Sequence, residues 1–137
     1  MPTVAVVGGS LGGLTAALVL RDIGCDVTVY ERSSSALEAR GAGIAVLRET
    51  LRYPVERLGI PPERISSRTD WIRFLERDGT VRHEQRHTYR FSSWNTIYRT
   101  LLGAFDLGRY LLGREMTSFT TQLPSCRAGS CRPATAP

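Results

Sequence analysis

The stretch that most constrains this chain is the run Thr3-Val4-Ala5-Val6-Val7 followed by GGSLGGL at residues 8–14. A continuous run of small and β-branched apolar residues reads as a parallel strand covered on both faces. The glycines then call for a tight turn. From Leu11 the apolar spacing becomes helical, with Leu14, Ala17, Leu18 and Arg21 at i, i+3, i+4 and i+7. Gly24 is placed to end that helix, and residues 26–30 (DVTVY) form a second strand with Glu31 at its C-terminal end. Strand, turn, helix and strand at these lengths make a βαβ unit, whose crossover is right-handed in nearly all known cases. The expected fold class is therefore α/β, a Rossmann-like unit in a mostly parallel sheet with strands 3–7 and 26–30 as neighbours.

The turn matches the dinucleotide fingerprint G-x-G-x-x-G, with Ser10 where the second glycine usually stands. Each position has a task. Gly8 permits the sharp exit from the strand, residue 10 must let the backbone approach a pyrophosphate, and Gly13 lets the helix pack closely on the strand. Serine adds only a hydroxymethyl group, which can itself donate to a phosphate. Amides at the helix N-terminus and the helix dipole favour negative charge there. Glu31 follows at the interval of a carboxylate that grips ribose hydroxyls. The fingerprint alone does not separate FAD from NAD.

Composition narrows the field. The chain has 137 residues, 42% hydrophobic and 23% charged, as expected for one globular domain. Its net charge of +5 comes from 18 basic residues, all arginine, spread from Arg21 to Arg132 without a run or stripe. That dispersion argues against a nucleic-acid partner. Residues 2–20 are uncharged, but four glycines by position 13 and the lack of a basic leader argue against a signal or membrane segment. A cytoplasmic protein is expected. Cys25, Cys126 and Cys131 have no metal-ligand spacing, and their odd number argues against a disulfide framework.

A second glycine-bearing stretch, GAGIAVL at 41–47, follows ERSSSALEAR. The two together resemble the amino-terminal part of the single-component FAD-dependent aromatic hydroxylases. GGSLGGL with RFSSWNTIYRTLL at 90–102 is similar to their dihydroxypyridine hydroxylase branch. The resemblance implies FAD as cofactor, NAD(P)H as reductant, O2 as oxygen source and a small aromatic or heteroaromatic substrate. It implies that Gly8, Gly9, Ser10, Leu11, Gly12 and Gly13 form the pyrophosphate turn. Glu31 would hold the ribose, Arg32 would lie near the adenine, and Gly43 and Ile44 would pass the flavin end. A helix starting near Trp94 would bring its first residues towards FAD; many members carry arginine at that position, and Arg99 lies nearby. The resemblance places no catalytic side chain on these residues, because the flavin carries the chemistry.

Other features have plainer readings. His83 and His87 follow the Asp78-Gly79 turn between alternating segments, so a hairpin over 71–84 with surface histidines is expected, not a metal site. Residues 48–58 read as an amphipathic helix with Leu51, Val55 and Leu58 inward, interrupted at Pro54 and ended by Ile60-Pro61-Pro62. Of the aromatic positions Trp71, Phe74, Trp94, Tyr98 and Phe105, most are expected in the core rather than stacking on bases. The family likeness runs to Phe119, so residues 1–119 are assigned to a partial FAD-binding domain. Residues 120–137, rich in proline, alanine and serine, read as a disordered tail. An out-of-frame origin for that tail fits a GC-rich, lysine-free gene. The later Gly-Asp motif and the substrate region of the family are missing from this sequence, so the segment is expected to be inactive alone. Two alternatives stand beside this reading: an NAD-binding Rossmann dehydrogenase or sensor domain, and a non-catalytic nucleotide-binding pseudoenzyme.

Overall fold

A computed structural model describes residues 1–38 and 42–120. The tail expected at 120–137 lies outside the described residues beyond Thr120, as do Cys126, Cys131 and the start of the second glycine stretch. The βαβ unit forms as expected. Strand β1 (Thr3–Val7) pairs in parallel with β2 (Asp26–Tyr30), Val4 opposite Val27 and Val6 opposite Val29, with helix α1 (Leu11–Asp22) between them. Leu14, Ala17 and Leu18 of α1 are fully buried, Arg21 is not, and Gly24 takes a positive φ of 90° just past the helix end. A third strand, β6 (Tyr110–Leu111), joins the far side of β2 in parallel, giving the order β1-β2-β6.

The expectation that residues 3–7 are covered on both faces is corrected. Thr3, Ala5 and Val7 are exposed, alternating with half-buried Val4 and Val6. Among the described residues, α1 and the helix α4 (Trp94–Ala104) pack against one another on one side of this sheet, and β1 lies at its edge. Apolar content on a strand records what can be buried, not what is.

The second sheet is antiparallel, with β5 (Val81–Ser93) between β3 (Gly43–Ala45) and β4 (Ser67–Leu75). The hairpin is longer than the 71–84 expected, because polar residues on both faces of β5 hide its periodicity. Cross-strand pairs carry it instead: Arg73 bonds Glu84, and Thr88 Oγ1 donates to Asp70 at 2.9 Å. Gly79 turns the hairpin with φ 87°. Trp71 and Phe74 lie on this ribbon and are 54% and 50% exposed, so these two of the five aromatics stand outside the core. Tyr98 and Phe105 are buried, and Trp94 is half-buried.

Two short helices join the layers. Helix α2 (Arg48–Glu56) carries Pro54 inside it and buries Leu51, Tyr53 and Pro54. The Tyr53 hydroxyl donates to Asp22 at 2.9 Å, and Arg21 of α1 donates to the Ala104 carbonyl of α4 at 2.7 Å, so all three helices are tied together. Helix α2 ends at Glu56, before the Ile60-Pro61-Pro62 run expected to stop it, and the chain turns at Gly59 with φ 66°. Pro62 instead opens helix α3 (Pro62–Ile65), a place where its missing N–H costs nothing. No helix among the described residues is long and apolar enough to cross a membrane.

Candidate functional site

The glycine turn sits at the C-terminal end of β1, where a parallel sheet gathers its binding residues. Gly8 has φ 96°, a conformation that side chains other than glycine's rarely adopt. Gly13 is held by packing: a Cβ there would run into the Gly8 carbonyl, with the Gly8 carbonyl carbon only 2.9 Å away. Both roles follow the sequence reading. Gly12 is different. Its φ is not positive, and a Cβ there would meet nothing within 4 Å. Folding makes no demand for glycine at this position, so it leaves an open approach to the helix end.

Ser10 is the N-cap of α1, in extended conformation, and its side chain makes no cap hydrogen bond. The first intrahelical bond runs from Leu14 N–H to the Ser10 carbonyl, 2.9 Å. The amides of Leu11, Gly12 and Gly13 precede it and have no partner within the helix. No acidic residue lies in the first turn. An uncapped N-terminus with an open glycine suits an anionic group such as a pyrophosphate.

Glu31 stands beside the turn and is only 6% exposed. Its Oε2 accepts from Gly9 N–H at 2.8 Å and its Oε1 from Ser33 N–H at 2.9 Å. Burial pushes the Glu31 carboxyl up. The amides of Ser33 and Gly9 and the charge of Arg32 outweigh that and hold it below the ordinary carboxylate range. The carboxylate is therefore ionised at neutral pH, and each oxygen keeps capacity for a further donor such as a ribose hydroxyl. Arg32 is exposed.

The second glycine stretch meets the start of α4. Gly43 and Ile44 pair with Ser93 and Ser92, and Trp94 N–H donates to the Ala42 carbonyl at 3.1 Å. The Trp94 ring stacks on Tyr98, centroids 4.8 Å apart. Arg99 is engaged at the surface by Glu38 at 2.7 Å. His83 and His87 lie exposed along β5, and no group of three metal-ligating side chains occurs among the described residues.

Tyr110 is the participant that sequence reasoning missed. Its hydroxyl donates to the Gly9 carbonyl at 2.9 Å, and a Cβ on Gly9 would come within 2.6 Å of its ring. Gly9 is thus glycine because Tyr110 occupies the space beside it. Nothing local marks the residue, which sits in a two-residue strand 101 positions away.

Residues 3–52 match the model of the pyridine nucleotide-disulphide oxidoreductase family. The 2,6-dihydroxypyridine 3-monooxygenase of Paenarthrobacter nicotinovorans is 40% identical over 130 residues, 88% of this chain and 32% of that protein. The chain is similar, in sequence and in fold, to the flavoprotein aromatic hydroxylases. The crystal structure of 2,6-dihydroxypyridine-3-hydroxylase from Arthrobacter nicotinovorans superposes with a TM-score of 0.82 at 36% identity, over 88% of this chain and 31% of that one. A 3-amino-4-hydroxybenzoate 2-monooxygenase of Streptomyces platensis is 35% identical over 109 residues, 80% of this chain and 24% of that protein. The chain thus spans about a third or less of the hydroxylases that it matches.

Proposed function

We propose that this chain binds FAD as the amino-terminal segment of an NAD(P)H-dependent monooxygenase that hydroxylates a small aromatic or heteroaromatic ring. The observation that carries the reading is the pair Gly12 and Gly13: one glycine is required by packing, the other by nothing inside the chain. A ligand that must approach the helix end explains the second.

In this reading Gly8, Gly9, Ser10, Leu11, Gly12 and Gly13 surround the pyrophosphate, whose charge meets the free amides at the start of α1. Glu31 accepts from the ribose hydroxyls, Arg32 flanks the adenine, and Gly43 and Ile44 line the way to the flavin end. Bound FAD supplies the redox chemistry, with NAD(P)H as reductant and O2 as oxygen source. The residues of this chain bind and orient. Residues 1–119 serve as the FAD-binding unit.

The match to a pyridine-nucleotide family model over residues 3–52 supports a second reading, in which the same turn takes NAD(H). Parallel titrations of the purified chain with FAD and NADH, followed by calorimetry, decide between them. The expected result is saturable FAD binding with weaker or no uptake of NADH. A folded sample that binds NADH and ignores FAD overturns the proposal.

A further inference from the structure

Gly9 is held through both of its backbone polar groups, which lie on successive peptide planes, and the direction of every hydrogen bond around it can be assigned. Its N–H donates to Glu31 at the end of β2, and its carbonyl accepts from Tyr110 on β6. A tyrosine has one proton to give. Since Tyr110 gives its proton to Gly9, the 3.2 Å contact between the two tyrosine hydroxyls must be a donation from Tyr98 to Tyr110. Tyr98 in turn accepts from Leu37 N–H at 3.2 Å. The result is a one-way series: Leu37 amide to Tyr98, Tyr98 to Tyr110, Tyr110 to the Gly9 carbonyl. It runs through the core, with Tyr98 fully buried and Tyr110 7% exposed. In such surroundings each bond polarises the next.

From this geometry we infer that Tyr110, backed by Tyr98, is a positioning residue that sets the orientation of the glycine turn, and through it the aim of the amides at the start of α1. The inference rests on the FAD reading for its ligand, but the orientation of the turn can be measured without one. Turning the Gly8–Gly9 plane would break the bond to Glu31, and turning the Gly9–Ser10 plane would break the bond to Tyr110, so each of these two planes has one supported orientation. Burial, the Tyr98 hydroxyl and the nearby negative charge of Glu31 all push the Tyr110 phenol upward, so it stays a donor across the physiological range. Leu37, Tyr98 and Tyr110 come from the loop after β2, from α4 and from β6, so three separate segments bear on one peptide.

The test uses the full chain with Tyr110→Phe, which keeps the ring and removes the donor. Amide exchange by NMR reads the turn, and FAD titration reads the function. The expected result is faster exchange at Gly9 and Ser10 and FAD binding weakened about tenfold, the effect of losing one buried hydrogen bond. Leu51→Ala, a core change on α2 outside the relay, is the control: it should lower stability without altering FAD affinity. A second pair guards against a misfolded variant. Gly9→Ala should be far less damaging in a Tyr110→Leu background than alone, since the ring that the new methyl would strike is then gone. Unchanged exchange and unchanged FAD affinity in Tyr110→Phe overturn the inference. If the parent chain binds no FAD while exchange at the turn still responds to Tyr110→Phe, the FAD reading fails and the positioning role stands.

Discussion

Gly12 and Gly13 are adjacent, yet substitution should separate them by sign. Gly13→Ala drives a methyl into the Gly8 carbonyl and should cost about 3 kcal/mol or leave the chain insoluble. Gly12→Ala meets open space and replaces glycine within a helix. It should stabilise the ligand-free chain by about 0.5–1 kcal/mol while weakening FAD binding. Urea denaturation of both variants, with FAD titration of the second, checks this. Glu31 yields a prediction in pH. Its folded pKa is depressed, so the stability it contributes is present above its unfolded value, near 4.5, and is lost as pH falls through the lower folded value. Glu31→Gln should cost about 1–3 kcal/mol at pH 7, from the weakened bonds to Gly9 and Ser33. The gap to the parent chain should narrow in acid, which urea midpoints at neutral and acidic pH would show.

Helix α4 matters because its first residues abut the second glycine stretch. It starts where Ser93 Oγ accepts from Thr96 N–H at 3.0 Å, so Ser93→Ala should lower stability by about 1 kcal/mol, again read by urea denaturation. The start of this helix was legible only through the family resemblance, whereas α1 was legible from its periodicity, and both strands of the βαβ unit fell where their apolar runs placed them. The hairpin was legible around its turn, over 71–84, but not in its outer reaches. Beyond residue 84, polar residues on both faces of β5, such as His87 and Thr88, leave no alternation to read, and the pairing there is made by backbone and charge. β6 is too short to carry a pattern at all. At the site, Gly8, Gly13 and Glu31 could be read because their demands are local or set by a fixed interval. Tyr110 could not, because its role depends on a contact created by the fold.

At the scale of the molecule, ligand binding and folding are linked. A ligand that binds only the folded chain stabilises it, by about 2.7 kcal/mol at one hundred times its Kd. FAD at that level should raise the thermal midpoint by roughly 10 °C. A thermal scan at several FAD concentrations checks this, and the Gly12→Ala chain should show a smaller rise at equal FAD. No shift with FAD, in a chain that melts cooperatively, would count against the proposed cofactor.

The contact between Tyr110 and Gly9 also has a consequence in time. The βαβ unit is synthesised before β6, and its strands and helix can assemble from residues near one another in sequence. The clamp on Gly9 spans 101 positions, so at ordinary synthesis rates roughly 5–20 s separate the appearance of the turn from that of the hydroxyl that fixes it. Closing so long a loop is among the slower events of folding. The turn is laid down 101 positions before the hydroxyl that fixes it, so its amides gain their final aim only once β6 has joined the sheet.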